Sequence, residues 1–421
     1  MNAYATSPDL DEDAAALIPP LPRVSIQAFC ETPDVASSLE TASVDRRMNK
    51  THFQSHMGGI KAAIEFYDGA PTPNVIIIET QAPAHALLED LESLAECCDA
   101  GTQVVVIGHA NDIPLYRELT RRGVSEYLVA PINTIETLSA LSGLFHKENA
   151  APLGRVIAFV GAKGGVGAST IAHNCAWTIS NELELDTIIV DLDLPFGTAG
   201  LDFNQDPPQG VAEAVFSPDR LDDVLLDRLL SKCSERLSLL ASPATLDRPY
   251  DIDESGFEGL FDLLRATVPC IVLDVPHVWN AWTQAVLAAA DEVVVVAAPD
   301  LANLRNAKNL VDVLTAGRPN DAPARLLLNG VGLAKRPEIK AADFKTAVGL
   351  EPFAVLPHDA ALFGTAANNG QMIAEVQAAA PHAETFAELS RTLLGKSEAK
   401  KSRKSKSSLA PILSRLTLRK S

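Results

Sequence analysis

At 421 residues the chain is long enough for two or three domains, and its 47% hydrophobic but only 5% aromatic content suits layered helices and sheets rather than an aromatic-rich β-sandwich. The net charge of −19 is uneven: from Lys396 onward lie nine basic residues and one acid, Glu398, leaving 26 basic against 53 acidic residues elsewhere, or −27. An acidic body argues against broad nucleic-acid binding, so any polyanion contact is left to the C-terminal tail.

Residues 1–21 are acidic, Ala-rich and Pro-ended, and are predicted to be disordered. Asp9, Asp11, Glu12 and Asp13 precede any apolar run, so no signal peptide is read there. No stretch approaches the roughly 18–20 apolar residues of a membrane span, which makes the expected location cytoplasmic. The cysteines (Cys30, Cys97, Cys98, Cys175, Cys233, Cys270) lack C-x-x-C or metal-binding spacing and read as reduced thiols.

From Val24, short apolar runs alternate with helical stretches. Residues 24–29, 75–78, 104–107 and 127–129 are predicted buried parallel strands, with helices over 85–98 and 115–122. This pattern predicts a first doubly wound parallel-sheet domain over 22–147. Residues 148–154 lack periodicity and read as a linker. A second α/β block, 155–395, shows strands at 155–160, 187–190, 237–240, 270–273, 293–296 and 325–329. Residues 396–408 form a basic spacer. After it, 409–420 set Ile412, Leu413 and Leu416 on one helical face, a candidate contact with anionic membrane. A simply solvated tail is the alternative.

Within the first block, N-V-I-I-I-E-T (74–80) and R-G-V-S-E-Y-L-V-A-P-I (122–132) resemble the third-strand and closing motifs of response-regulator receiver domains. The resemblance puts Glu79 at the phospho-accepting aspartate, Gly108 at the hydroxyl residue and Ala130 at the lysine. Phosphotransfer needs an aspartate nucleophile, a metal-holding acid cluster and that lysine. Their absence implies a degenerate, receiver-like (flavodoxin-like) interaction module.

F-V-G-A-K-G-G-V-G-A-S-T (159–170) opens the second block. A glycine-rich turn between strand and helix lets successive backbone N–H groups point at one anion, aided by the positive end of the helix. V-D-L-D-L-P-F-G (190–197), I-V-L-D-V-P-H (271–277) and the stretch from V-L-P-H-D to Q-M-I (355–373) follow in order. Together they resemble the ParA/MinD group of deviant P-loop ATPases over about 154–395. The resemblance implies that Lys163, Gly164, Gly165, Val166, Gly167, Ala168, Ser169 and Thr170 cradle ATP, with Asn329 and Pro357 bordering the adenine. Ser169 would hold Mg²⁺ with Asp274 supporting it, and Asp193 would orient the attacking water. Lys163 would cross a nucleotide-dependent homodimer to the partner's phosphates. Asp191 reads instead as a strand-end residue bonding nearby backbone.

Ala168 stands where the group carries a phosphate-binding lysine. That loss removes a charge-assisted contact of roughly 1.5–3 kcal/mol. The expectation is retained ATP binding with weak or slow ATPase activity. A receiver-like domain before a ParA/MinD-like one, with L-D-V-P-H-x-W (273–279), resembles the CpaE/TadZ family. That family implies a role in assembly and polar localisation of Flp/Tad type IV pili. Implied partners are pilus components or polar landmarks, at a cell pole peripheral to the inner membrane, with no specific nucleic acid. An active partitioning or division-positioning ATPase and a nucleotide-independent scaffold remain open at this point.

Overall fold

The computed structural model describes residues 18–146, 152–246 and 248–395, and its strands form two separate sheets. In the first, β1 (Ser25–Cys30), β2 (His52–Met57), β3 (Val75–Thr80), β4 (Gln103–Gly108) and β5 (Glu126–Val129) run parallel in the order β2-β1-β3-β4-β5. That is the flavodoxin-like order. Alternate strand residues supply opposite faces. Ile26, Val75, Ile77, Val105 and Ile107 pack beneath α1 (Pro33–Ser43) and, through Leu138 and Leu141, the last helix of this unit. Phe29, Ile76, Ile78 and Val106 pack on the other side, under α2 (Gly59–Tyr67), α3 (Ala84–Cys97) and α4 (Ile113–Arg121). The last helix is α5 (Thr134–Gly143).

The second sheet contains β6 (Arg155–Gly161), β7 (Thr187–Asp191), β8 (Ser231–Lys232), β9 (Leu237–Leu240), β10 (Cys270–Val275), β11 (Glu292–Ala297), β12 (Arg325–Val331) and β13 (Ala354–Pro357). Its order is β13-β12-β11-β6-β10-β7-β9-β8, parallel except for β8 against β9. Flanking helices include α6 (Ala168–Asn181), α7 (Ala199–Asp202), α8 (Glu258–Thr267), α9 (Ala281–Ala289), α10 (Leu301–Gly317), α11 (Ala360–Asn369) and α12 (Pro381–Leu393). The central strands are buried along their length, so their apolar runs are continuous rather than alternating. The chain is therefore an α/β protein of two doubly wound parallel sheets.

Three strands escape the sequence pattern for physical reasons, the shortest being the two-residue antiparallel β8. β2, H-F-Q-S-H-M, is a polar edge strand with mostly exposed or half-exposed side chains. β13 is a four-residue edge strand closed by Pro357. One expectation is corrected: the disordered N-terminus was extended to residue 21, yet Ile18 and Leu21 are buried in the first core. Leu21 N–H also donates to Arg47 O at 2.8 Å, so this apolar end of an acidic segment is tied down. The remainder of that N-terminus, most of the linker and the tail with its amphipathic stretch lie outside the described residues. Among the described residues no helix is long and apolar enough to cross a membrane.

The two units meet through buried ions. Arg46 and Arg47, on the turn before β2, both pair with Asp321 beyond the end of α10. Arg318 reaches Asp321 at 3.0 Å, Arg46 lies 3.5 Å from Asp291, and Arg265 of α8 pairs with Asp291 at 2.7 Å. Asn320 closes the set by donating to Asp45 at 2.9 Å. A cavity of about 790 Å³ adjoins this contact, and several of its charged wall residues are already engaged, as in the Lys50–Asp262 and Arg46–Asp321 pairs.

Candidate functional site

The loop after β6 leaves the C-terminal end of a central parallel strand, where such sheets bind ligands. Gly165 (φ +77°) and Gly167 (φ +85°) take left-handed conformations that side chains rarely adopt. A Cβ on Gly167 would also lie 2.6 Å from Asn329 Nδ2. Three side chains hold the loop's carbonyls. His277 Nδ1 donates to Gly161 O, Asn306 of α10 to Ala162 O, and Asn329 to Val166 O, each at 2.8 Å. The backbone N–H groups of Gly164, Gly165 and Gly167 meet no acceptor among the described residues. The loop is thus braced through its carbonyls while donors stay available to an anion.

Thr170, Asn329 and Pro357 line a cleft of about 360 Å³ together with Gly165, His358 and Phe363. Ser169 lies on the other side of the loop helix's first turn, its hydroxyl donating to Asp274 Oδ1 at 3.1 Å. Asp193 is half-buried, receives the N–H of Phe196 at 3.2 Å, and has its pKa raised by burial and by the nearby charge of Asp274. Ala168 begins α6 and packs against the core, so its methyl offers nothing to a phosphate. Lys163 is exposed. Burial acts against ionisation of Asp300, yet the hydrogen bonds from Asn303, helped by the charge of Lys163, hold its pKa low.

Asp191 is fully buried and bonds nearby groups: the N–H of Asp193 and of Ala199, each at 3.1 Å, and the hydroxyl of Ser242 at 3.2 Å. Burial and then Asp274 push its pKa up.

His173 belongs to this cluster and was not singled out by any sequence motif. It is fully buried, with Nδ1 2.7 Å from Asp202 Oδ2 and Nε2 3.2 Å from Asp274 Oδ2. The first contact is a hydrogen bond; the second is an ionic approach without hydrogen-bond alignment. Burial would lower its pKa, but the two carboxylates carry it to about 10.

In the first unit, Glu79 is fully buried at the end of β3. Its carboxylate accepts from Glu31 N–H (2.7 Å), Thr32 N–H (2.8 Å), the Thr32 hydroxyl (2.6 Å) and His109 Nε2 (3.0 Å). Gly108 lies beneath the Tyr127 phenol: a Cβ there would fall 2.1 Å from that oxygen, which explains why no hydroxyl residue stands at this position. Burial opposes ionisation of Glu79, but these donors prevail and lower its pKa. Its contribution to stability is therefore present above the ordinary carboxylate range and is lost as pH falls through the folded value. Glu79→Ala strands several buried donors and is expected to destabilise the unit by about 3 kcal/mol in urea unfolding. A loss under about 1 kcal/mol would contradict this wiring.

No protein-family model matches the chain. A solved pilus assembly protein CpaE from Caulobacter crescentus CB15 is 46% identical, over 30% of this chain and 96% of that one, with a TM-score of 0.30. The sequence identity, over nearly all of that solved chain, is what decides. The chain belongs to the CpaE/ParA–MinD-like family. A ParA family ATPase from Chlorobium tepidum TLS is 27% identical over 56% of this chain and 98% of its own, with a TM-score of 0.51. The septum site-determining protein MinD of Synechocystis sp. is 26% identical over 39% of this chain. The chain spans 60% of the length of that relative. The likeness to the ParA family ATPase, over more than half of the chain, is one of fold: a parallel α/β sheet.

Proposed function

We propose that this chain is an ATP-binding switch protein that acts in assembly and polar localisation of Flp/Tad type IV pili, with slow hydrolysis. One observation carries the reading: a braced glycine cradle with free N–H donors opens onto a cleft bordered by Thr170, Asn329 and Pro357. The triphosphate would take the donors of Gly164, Gly165 and Gly167 and the positive end of α6, with Thr170 reaching the α-phosphate. The base would lie toward Asn329 and Pro357.

Ser169 and Asp274 offer hard oxygen donors, the kind Mg²⁺ prefers when it keeps waters and phosphate oxygens as further ligands. When bound, the metal would neutralise phosphate charge. Asp193, with its raised pKa, would orient the water for in-line attack. With Ala168 in place of lysine, rapid cycling of a partitioning ATPase is the weaker reading.

Exposed Lys163 would reach the phosphates of a second copy, making the homodimer nucleotide-dependent. In sedimentation velocity with ATP and Mg²⁺, wild type is expected to dimerise and Lys163→Ala to do so roughly 100-fold more weakly, the loss of two charged contacts, one from each copy. An unchanged dimer would sink the trans-lysine role. The first unit would contact pilus components or a polar landmark in the cytoplasm, and residues 396–421 would reach anionic membrane.

A further inference from the structure

We infer that His173 is a positioning residue for the metal-side acid Asp274, and that through Asp202 it ties this acid to the segment headed by Asp193. The inference rests on the nucleotide-switch reading above and deepens it. His173 lies four residues beyond Ser169 on α6, so the two side chains share one helix face. Asp274 is consequently addressed at both oxygens: Oδ1 takes the Ser169 hydroxyl in a 3.1 Å hydrogen bond, and Oδ2 has His173 Nε2 as an ionic neighbour at 3.2 Å. Asp191 and Asp274, paired across β7 and β10, are both buried and would repel one another. An imidazole between carboxylates fixes which way Asp274 points.

The other ring nitrogen reaches Asp202, the last residue of α7. That short helix directly follows the Asp193 turn, whose Gly197 N–H donates to Asp193 O at 2.7 Å and whose exit is held by Ala199 N–H on Asp191. Phe203 covers the imidazole, with ring centroids 5.4 Å apart. Three elements therefore meet at one buried ring: the loop helix, the acidic strand and the end of the Asp193 segment. A displacement of α7 is transmitted to Asp274 without passing through nucleotide.

Groups that orient a metal-side ligand typically change metal affinity by about 10- to 100-fold when removed. The test is calorimetric titration of the full chain with ATP, once with Mg²⁺ and once with EDTA. It uses wild type, His173→Ala, His173→Gln and Asp202→Asn, with thermal melting run in parallel. His173→Ala is expected to lose about 10- to 100-fold of the Mg²⁺-dependent gain in affinity while binding in EDTA stays as in wild type. His173→Gln, which keeps one donor, recovers part of that gain. Should His173→Ala fail to fold, Asp202→Asn carries the test, since that side chain is 22% exposed, and a smaller loss in the same direction is expected. An unchanged Mg²⁺-dependent gain in the folded variants, or equal losses with and without Mg²⁺, overturns the positioning role. If wild type itself gains nothing from Mg²⁺, the nucleotide-switch reading fails first and the inference falls with it.

Discussion

Ala168→Lys is expected to bind ATP about 10- to 100-fold more tightly than wild type and to hydrolyse it about 10²- to 10³-fold faster. A lysine at the start of α6 would add one charge-assisted phosphate contact, roughly 1.5–3 kcal/mol in the ground state. Its effect on rate is larger because charge develops on the phosphoryl oxygens as the bond breaks, and a preorganised cation there is favoured most in that state. The other residues that the proposed site would use stand around that position: the cradle, Ser169 bonded to Asp274, and Asp193 at the head of its turn. Steady-state phosphate release and calorimetry on the two proteins check both halves. An Ala168→Lys variant that binds better but turns over no faster would show that hydrolysis is limited by something other than the missing lysine.

Asp321→Ala is expected to remove about 3–5 kcal/mol, because it leaves Arg46, Arg47 and Arg318 buried beside an empty place. The loss should appear in urea unfolding, and small-angle scattering should show a larger radius of gyration as the two units part. Burial opposes the charge on Asp321, but Arg46 first, then Arg318 and Arg47, hold its pKa below the ordinary carboxylate value. The sign follows: its contribution is fully present above the unfolded carboxylate pKa and disappears as pH falls through the folded one. Acid should therefore loosen wild type toward the variant, and Asp321→Ala should respond less to pH. An unchanged scattering profile at neutral pH would mean that the remaining contacts, Arg46–Asp291, Lys50–Asp262 and Asn320–Asp45 among them, hold the units together without Asp321.

Long apolar runs such as V-I-I-I and V-V-V-V made both sheets legible, because parallel strands are buried on both faces and need no alternation. The edge strand H-F-Q-S-H-M carried no such run and was invisible, as was the four-residue strand ending in Pro357. The glycine loop and its following segments were legible because phosphate binding dictates residue type and spacing. His173, His277 and Asn306 were not, since their roles depend on which elements the fold brings together. A histidine inside I-A-H-N-C-A reads as a core position until Asp202 and Asp274 are found on either side of it. The interdomain ions were equally silent: no spacing or motif marks D-R-R at 45–47 as an interface, yet Arg47 is almost fully buried. Glu79 shows the opposite case, where the substitution was plain and its four donors were not.

The most direct test of the whole account is calorimetric titration of the full wild-type chain with ATP in the presence and absence of Mg²⁺, with phosphate release followed on the same sample. Saturable binding at one site per chain, strengthened by Mg²⁺, is expected, with turnover far slower than in the Ala168→Lys variant. No binding heat at millimolar ATP, with or without Mg²⁺, would contradict it and leave the glycine cradle as a structural turn.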